Sequence, residues 1–195
     1  MRQNVKHNII TNNVEYFEIL YTNADCLVNK IKELEVLIHS LHNKPKIIAV
    51  TEVKHKNKWK VSSSELQLPG FNFFYSSNLN GSGRGVAHYI SKELQCKQVY
   101  RYVDVEYEDF VAVSLNGNDK NSTRVGNFYK SPSSSAEAND RLLSVIDPLC
   151  SNYKCPKIFL GDFIFPNIDW ALLTSKDSES KKKINMLQRI FCHSL

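Results

Sequence analysis

Short apolar runs separated by polar turns predict a chain built from both strands and helices. Residues 47–51 (IIAVT) and 157–161 (KIFLG) are apolar runs of the length that buried strands have. Apolar residues recur at helical spacing across residues 26–42, and Pro45 closes that segment. The same spacing at residues 142–149 predicts a second helix.

Five more segments read as strands, and four of them pair into hairpins. The strands are residues 15–21, 71–76, 86–90, 109–115 and 123–129. The turn between the second and third contains Gly81, Gly83 and Gly85, and we interpret it as a hairpin turn because a phosphate-binding loop would need a strand-to-helix context. A last helix is predicted around residues 184–191. Strands outnumber helices, which predicts a mixed α/β layered domain with much antiparallel pairing.

Composition limits the class of protein. The chain has 195 residues, a net charge of +5 and 42% hydrophobic residues, which suits one folded domain and excludes a disordered or fibrous chain. No stretch approaches the roughly 18 apolar residues of a membrane span. The N-terminus is polar and has no apolar signal segment, so we expect an intracellular protein, nuclear or cytoplasmic and not secreted. In such a compartment we expect the five cysteines to be free thiols. The mild positive charge permits a polyanionic partner without requiring one.

Two acids follow apolar strands. Glu52 comes directly after residues 47–51, and Asp162 after residues 157–161. Two carboxylates at neighbouring strand ends would form a site for Mg²⁺, or for Mn²⁺, which both prefer hard oxygen ligands. The alternative is that each acid only begins a loop.

Other polar residues lie near these acids in sequence. Asn23 follows the first strand and Tyr129 ends another, where each has the chemistry to contact a phosphate and each is also an ordinary cap or packing residue. A lysine-rich segment follows Glu52 and would either track a nucleic-acid backbone or form a solvated loop. Its lysines are Lys54, Lys56, Lys58 and Lys60.

Five motifs in order resemble the endonuclease/exonuclease/phosphatase superfamily. They are YTNADCLVNKIKEL, IIAVTEV, GRGVAHYI, RVGNFYKSP and IFLGDFIFPNIDW. The set is most similar to the apurinic-endonuclease-like domain of non-LTR retrotransposons, and it spans residues 15–195, with residues 1–14 a polar N-terminal extension. The resemblance implies a four-layer α/β sandwich, with two face-to-face mixed sheets flanked by helices.

The same resemblance implies metal-dependent hydrolysis of phosphodiesters, with DNA as the substrate. By position in the motifs, Asn23, Tyr129 and Asp162 match catalytic residues, and Glu52, with Asp162, matches the metal site. The implied metal is Mg²⁺ (or Mn²⁺). The resemblance also implies a monomer that has no obligate protein partner and does not associate with a membrane.

The sequence departs from the family pattern at two places. Ile164 stands where relatives have the Asn of Gly-Asp-Phe-Asn, and Asn167 is the nearest asparagine that follows. The family's last strands and Asp-His pair are not found before Leu195. We therefore expect a C-terminally incomplete domain with weak or no activity. The alternatives are a non-catalytic remnant that binds nucleic acid and a phosphatase of another substrate class.

Overall fold

The computed structural model describes the chain in eleven segments. They are residues 18–55, 60–76, 83–99, 109–115, 122–131, 134–151, 155–163, 167–169, 171–178, 180–181 and 184–185. The predictions for Lys56, Lys58 and Ile164, for the first residues of the predicted first strand and for most of the last helix lie outside these residues. In the described part, no helix has the length and apolar character needed to cross a membrane.

The described residues include ten strands and two α-helices, and residues 178, 180–181 and 184–185 are also helical. The strands are β1 (Ile19–Asn23), β2 (Ile47–Thr51), β3 (Phe71–Tyr75), β4 (Val86–Ser91), β5 (Cys96–Gln98), β6 (Phe110–Leu115), β7 (Thr123–Lys130), β8 (Lys157–Phe163), β9 (Ile168–Asp169) and β10 (Thr174–Ser175). The helices are α1 (Ile31–Ser40) and α2 (Ala136–Ser151), and 3₁₀ turns cover Leu27–Asn29 and Ser63–Leu66.

The larger strands form two four-stranded mixed sheets. The first sheet has the order β1-β2-β4-β3 and the second has the order β5-β6-β7-β8. Each contains one parallel pair, β1 with β2 and β7 with β8, and its other pairs are antiparallel. The predicted hairpin pairs β3–β4 and β6–β7 are confirmed.

The sheets pack face to face with a helix outside each. The core between them contains Ile19, Ile47, Ala49, Ile90, Val113, Leu115, Val125 and Leu160. Leu34 and Ile38 of α1 pack on the outer face of the first sheet. Leu142 and Ile146 of α2 pack on the outer face of the second. The predicted four-layer α/β sandwich is therefore confirmed.

The single helix predicted over residues 26–42 is wrong at its start. The backbone has positive φ at Asp25 (43°) and Cys26 (79°), and α1 begins only at Ile31. The amide of Cys26 donates to the carbonyl of Glu52 at 2.8 Å. This bond joins the segment after β1 to the segment after β2. The residues before Ile31 are therefore held in a turn and do not form part of the helix.

Candidate functional site

Strand alternation brings polar side chains to one end of the core between the sheets. Because successive residues of a strand face opposite sides, every second residue of β1, β2 and β8 points between the sheets. These residues are Ile19, Tyr21 and Asn23 on β1, Ile47, Ala49 and Thr51 on β2, and Ile158, Leu160 and Asp162 on β8. Each series begins with an aliphatic residue and ends with a polar one, so a polar cluster forms at the carboxyl ends of the strands.

Asp162 lies at the centre of this cluster and accepts three side-chain hydrogen bonds. The Tyr21 hydroxyl donates to Oδ1 at 2.5 Å. The Asn23 amide donates to Oδ2 at 2.7 Å, and the Thr51 hydroxyl donates to the same oxygen at 3.0 Å. All three donors are neutral and come from the opposite sheet. They fix the direction of the carboxylate and leave Oδ1 with capacity for one more donor.

The Tyr21 hydroxyl stays a donor at neutral pH. Burial raises the pKa of Tyr21 well above its usual value, and the hydrogen bond to Asp162 raises it further. The negative charges of Asp162 and Glu52 act in the same direction. Both carboxylates therefore lie close enough to Tyr21 to influence its ionisation.

Glu52 is held in an ion pair. It follows Thr51 with a positive φ of 57°, and its side chain is 15% exposed. Its carboxylate accepts a hydrogen bond from Nη2 of Arg84, and the same nitrogen donates to Asp25 at 2.7 Å. The hydrogen bond from Arg84 and its positive charge hold the pKa of Asp25 below its usual range.

Tyr129 contacts Glu52. It is the seventh residue of β7, it is buried, and its hydroxyl is hydrogen-bonded to the Glu52 carboxylate. Burial raises the pKa of Tyr129 to about 12, and the charge of Glu52 and this hydrogen bond contribute. Among the residues singled out from sequence, the structure thus places Asn23 at Asp162 and Tyr129 at Glu52.

The lysine-rich segment is only partly described. Lys54 is fully buried, its amide donates to the carbonyl of Arg84 at 2.9 Å, and burial lowers the pKa of its ammonium group while the charge of Asp109 opposes that effect. Lys60 is exposed. The structure therefore does not present Lys54 to a partner. Asn167 is exposed, and its side chain is hydrogen-bonded to Asp177.

The oxygen donors fit a hard divalent cation. Within the described residues, no group of three or more His, Cys, Asp and Glu side chains is arranged to hold a metal ion. Mg²⁺ does not require one, because it binds through one or two carboxylates and keeps several waters. Glu52 is a partly exposed carboxylate at the strand end, here paired with Arg84, and Oδ1 of Asp162 retains acceptor capacity.

Sequence reasoning missed Tyr21, Thr51 and Arg84. Tyr21 lies two residues before Asn23 and therefore on the same face of β1, which is a signal that alternation alone provides. Thr51 is the last residue of β2, and it reaches Asp162 only because the two sheets pack face to face. Arg84 belongs to the glycine-rich turn that the sequence predicts before β4, and no local pattern connects it with Glu52.

Comparison with known proteins finds similarity in structure. No protein-family model matches the chain, and no curated protein matches it significantly. The endonuclease domain of TRAS1, a telomere-specific non-LTR retrotransposon, is similar over 88% of this chain and 69% of its own, with 17% identity and a TM-score of 0.57.

Two structures of ANGEL2, a 2′,3′-cyclic phosphatase, are also similar. The structure in complex with adenosine-2′,3′-vanadate covers 84% of this chain and 57% of its own, with 15% identity and a TM-score of 0.46. The second covers 72% and 46%, with 16% identity and a TM-score of 0.40. From the TRAS1 similarity and the four layers described above, the chain has the endonuclease/exonuclease/phosphatase-type fold that its motifs predicted.

Proposed function

We propose that the chain is a metal-dependent phosphodiesterase domain of the DNA-endonuclease type, of retrotransposon origin. The observation that carries the proposal is the set of three hydrogen bonds on Asp162, whose donors come from two strands of the opposite sheet. A carboxylate held this rigidly at a solvent-accessible strand end suits a group that must be oriented precisely. The motifs and the fold shared with the TRAS1 endonuclease domain support DNA as the substrate.

The proposal assigns three roles to residues of the site. Asp162 orients the attacking water and accepts its proton. Tyr21, Asn23 and Thr51 hold Asp162 in place and act as positioning residues. Glu52 would hold Mg²⁺, which when bound supplies a Lewis acid for the phosphoryl oxygens and lowers the pKa of water.

Ile164 limits the rate that we expect. An aliphatic side chain at the position of the motif asparagine cannot donate a hydrogen bond to water or phosphate. Loss of one such donor typically lowers a rate by about 10²–10³-fold. We therefore propose slow cleavage rather than the efficient cleavage of a complete motif.

The second candidate function is nucleic-acid binding without catalysis. The pairing of Arg84 with Glu52 favours it, because this pair neutralises the carboxylate that would hold the metal ion. Exposed Lys60 would contribute to such binding. This candidate requires no activity from Asp162.

Plasmid nicking distinguishes the two candidates. We expect the unmodified chain to convert supercoiled plasmid slowly to the nicked form with Mg²⁺ and not with EDTA. Glu52→Gln and Asp162→Asn should each lower the rate by about 10²-fold or more, because each removes a charged group from the reaction centre. The matched controls are Glu33→Gln on α1 and Asp140→Asn on α2, since both side chains are exposed on helices outside the sheets.

Each outcome of the nicking assay supports one candidate function or contradicts the proposal. Loss in both site variants with retention in both controls assigns the activity to this site. Nicking that survives both site substitutions contradicts the proposal. Absence of nicking, together with DNA binding that weakens with salt and in Lys60→Ala, supports the non-catalytic candidate.

A further inference from the structure

The backbone fixes Arg84 beside Glu52. The amide of Lys54 donates to the carbonyl of Arg84 at 2.9 Å, and the amide of Val53 donates to the carbonyl of Gly85 at 3.2 Å. These bonds join the segment before β4 to the segment after β2. These bonds hold the backbone of Arg84 next to the segment that follows Glu52, so the Arg84 side chain is within reach of the Glu52 carboxylate.

A single nitrogen of Arg84 serves two carboxylates. Nη2 donates to Oε2 of Glu52 and to Oδ1 of Asp25, whereas Nε is buried and has no hydrogen-bond partner among the described residues. Strong, permanent pairs of arginine with carboxylate are commonly bidentate and use two parallel donors. The contact between Arg84 and Glu52 lacks that fork, so it is suited to exchange.

The two partners of Arg84 differ in exposure. The Arg84 and Glu52 side chains are 20% and 15% exposed, whereas Asp25 is 75% exposed. Glu52 is the shielded partner, where charge interactions are screened less by water. The pair of Arg84 with Glu52 is thus less screened by water than the pair of Arg84 with Asp25.

We propose that Arg84 is the resident counter-cation of Glu52, and that a divalent metal ion binds this carboxylate only by displacing the guanidinium. The inference rests on the proposed function, because it takes Glu52 as the metal-binding carboxylate. Two cations in contact with one carboxylate oxygen repel each other, so the metal ion and Arg84 exclude each other. Asp25 remains a partner for the displaced guanidinium and keeps it at the rim of the site.

Mn²⁺ binding to the intact chain tests the proposal without nucleic acid or catalysis. By titration calorimetry, we expect Arg84→Gln to bind Mn²⁺ about tenfold more tightly than the unmodified chain, which is the effect that one partly screened ion pair exerts on an affinity. Arg141→Gln removes the same charge from an exposed site on α2 and should leave the affinity unchanged. Glu52→Gln should abolish binding at this site with either residue at position 84.

Equal or weaker binding by Arg84→Gln, with binding still lost in Glu52→Gln, overturns the role of Arg84 and leaves that of Glu52 intact. Binding that Glu52→Gln does not change overturns both.

A second measurement needs no Arg84 substitution: the Nε–H resonance of Arg84 should shift as Mg²⁺ is added, with the same half-saturation as Mg²⁺ binding. A resonance that stays fixed while Mg²⁺ binds contradicts displacement.

Discussion

At the scale of single residues, the surroundings of Asp162 come from distant parts of the chain. Asn23 and Asp162 were identifiable from their motifs, and the structure joins them by a hydrogen bond of 2.7 Å. The bonds from Tyr21 and Thr51 span 141 and 111 residues, so no local pattern contains them. Residue types at strand ends were predictable, whereas their partners depend on how the two sheets pack.

Thr51 tests whether the orientation of Asp162 matters. Thr51→Val keeps the shape of the buried side chain and removes its hydroxyl, which donates to Asp162 and lies 3.2 Å from the Tyr21 hydroxyl. We expect the Mg²⁺-dependent nicking rate to fall about tenfold, because a positioning bond is lost and the catalytic carboxylate remains. The matched control is Thr22→Val, which removes a buried hydroxyl bonded to the backbone of Asn23. Equal nicking by the two variants would contradict a positioning role for Thr51.

At the scale of elements, strands that are buried on both faces were the easiest to predict. The prediction for β2 matches the structure at both ends, because IIAVT is apolar and completely buried. β5, β9 and β10 were not predicted, since they have only two or three residues and are largely polar, and pairing with neighbours defines them. β8 continues two residues beyond the predicted segment, and this extension carries Asp162.

Gly161 determines how β8 approaches β7. Its φ is +139°, and a Cβ atom at this position would lie 1.9 Å from the carbonyl oxygen of Phe128. We expect Gly161→Ala to lower the free energy of unfolding by about 3 kcal/mol or more in urea denaturation, because backbone must move to admit the methyl group. Gly70→Ala is the matched control, since Gly70 also has positive φ (+83°) and open space around its Cβ position, and it should cost about 1 kcal/mol. Similar losses in the two variants would contradict the close approach of β7 and β8.

At the scale of the whole molecule, polar groups lie inside the contact between the sheets. The Asn127 amide on β7 donates to the carbonyls of Val50 and Ala87 in the opposite sheet, both at 3.0 Å. His88 lies on the same face of β4 as Ile90, which packs between the sheets. The motifs predicted two stacked sheets, but they gave no information about these polar contacts, which appear only when the sheets are packed.

His88 makes stability depend on pH. Complete burial lowers the pKa of His88 to about 3, whereas an unfolded chain has its usual value near 6.5. Below pH 6.5 the unfolded state therefore binds a proton that the folded state does not, and His88 reduces the free energy of unfolding by about 1.4 kcal/mol for each pH unit down towards pH 3. Urea denaturation from pH 7 to pH 4 should show a shallower loss for His88→Leu than for the unmodified chain. His39→Leu, on exposed α1 surface, should follow the unmodified chain; identical pH profiles for both variants would contradict the buried neutral state.

At this scale the proposal depends on both acids, because Asp162 and Glu52, at the ends of strands in different sheets, would act together on one phosphodiester. The measurement that tests it most directly is the initial rate of Mg²⁺-dependent plasmid nicking by the unmodified chain and by Asp162→Asn. Asn retains the size of the side chain and removes the charge, so we expect the slow nicking of the unmodified chain to fall by about 10²-fold or more. Equal rates for the two proteins would show that the carboxylate at the centre of the cluster takes no part in cleavage.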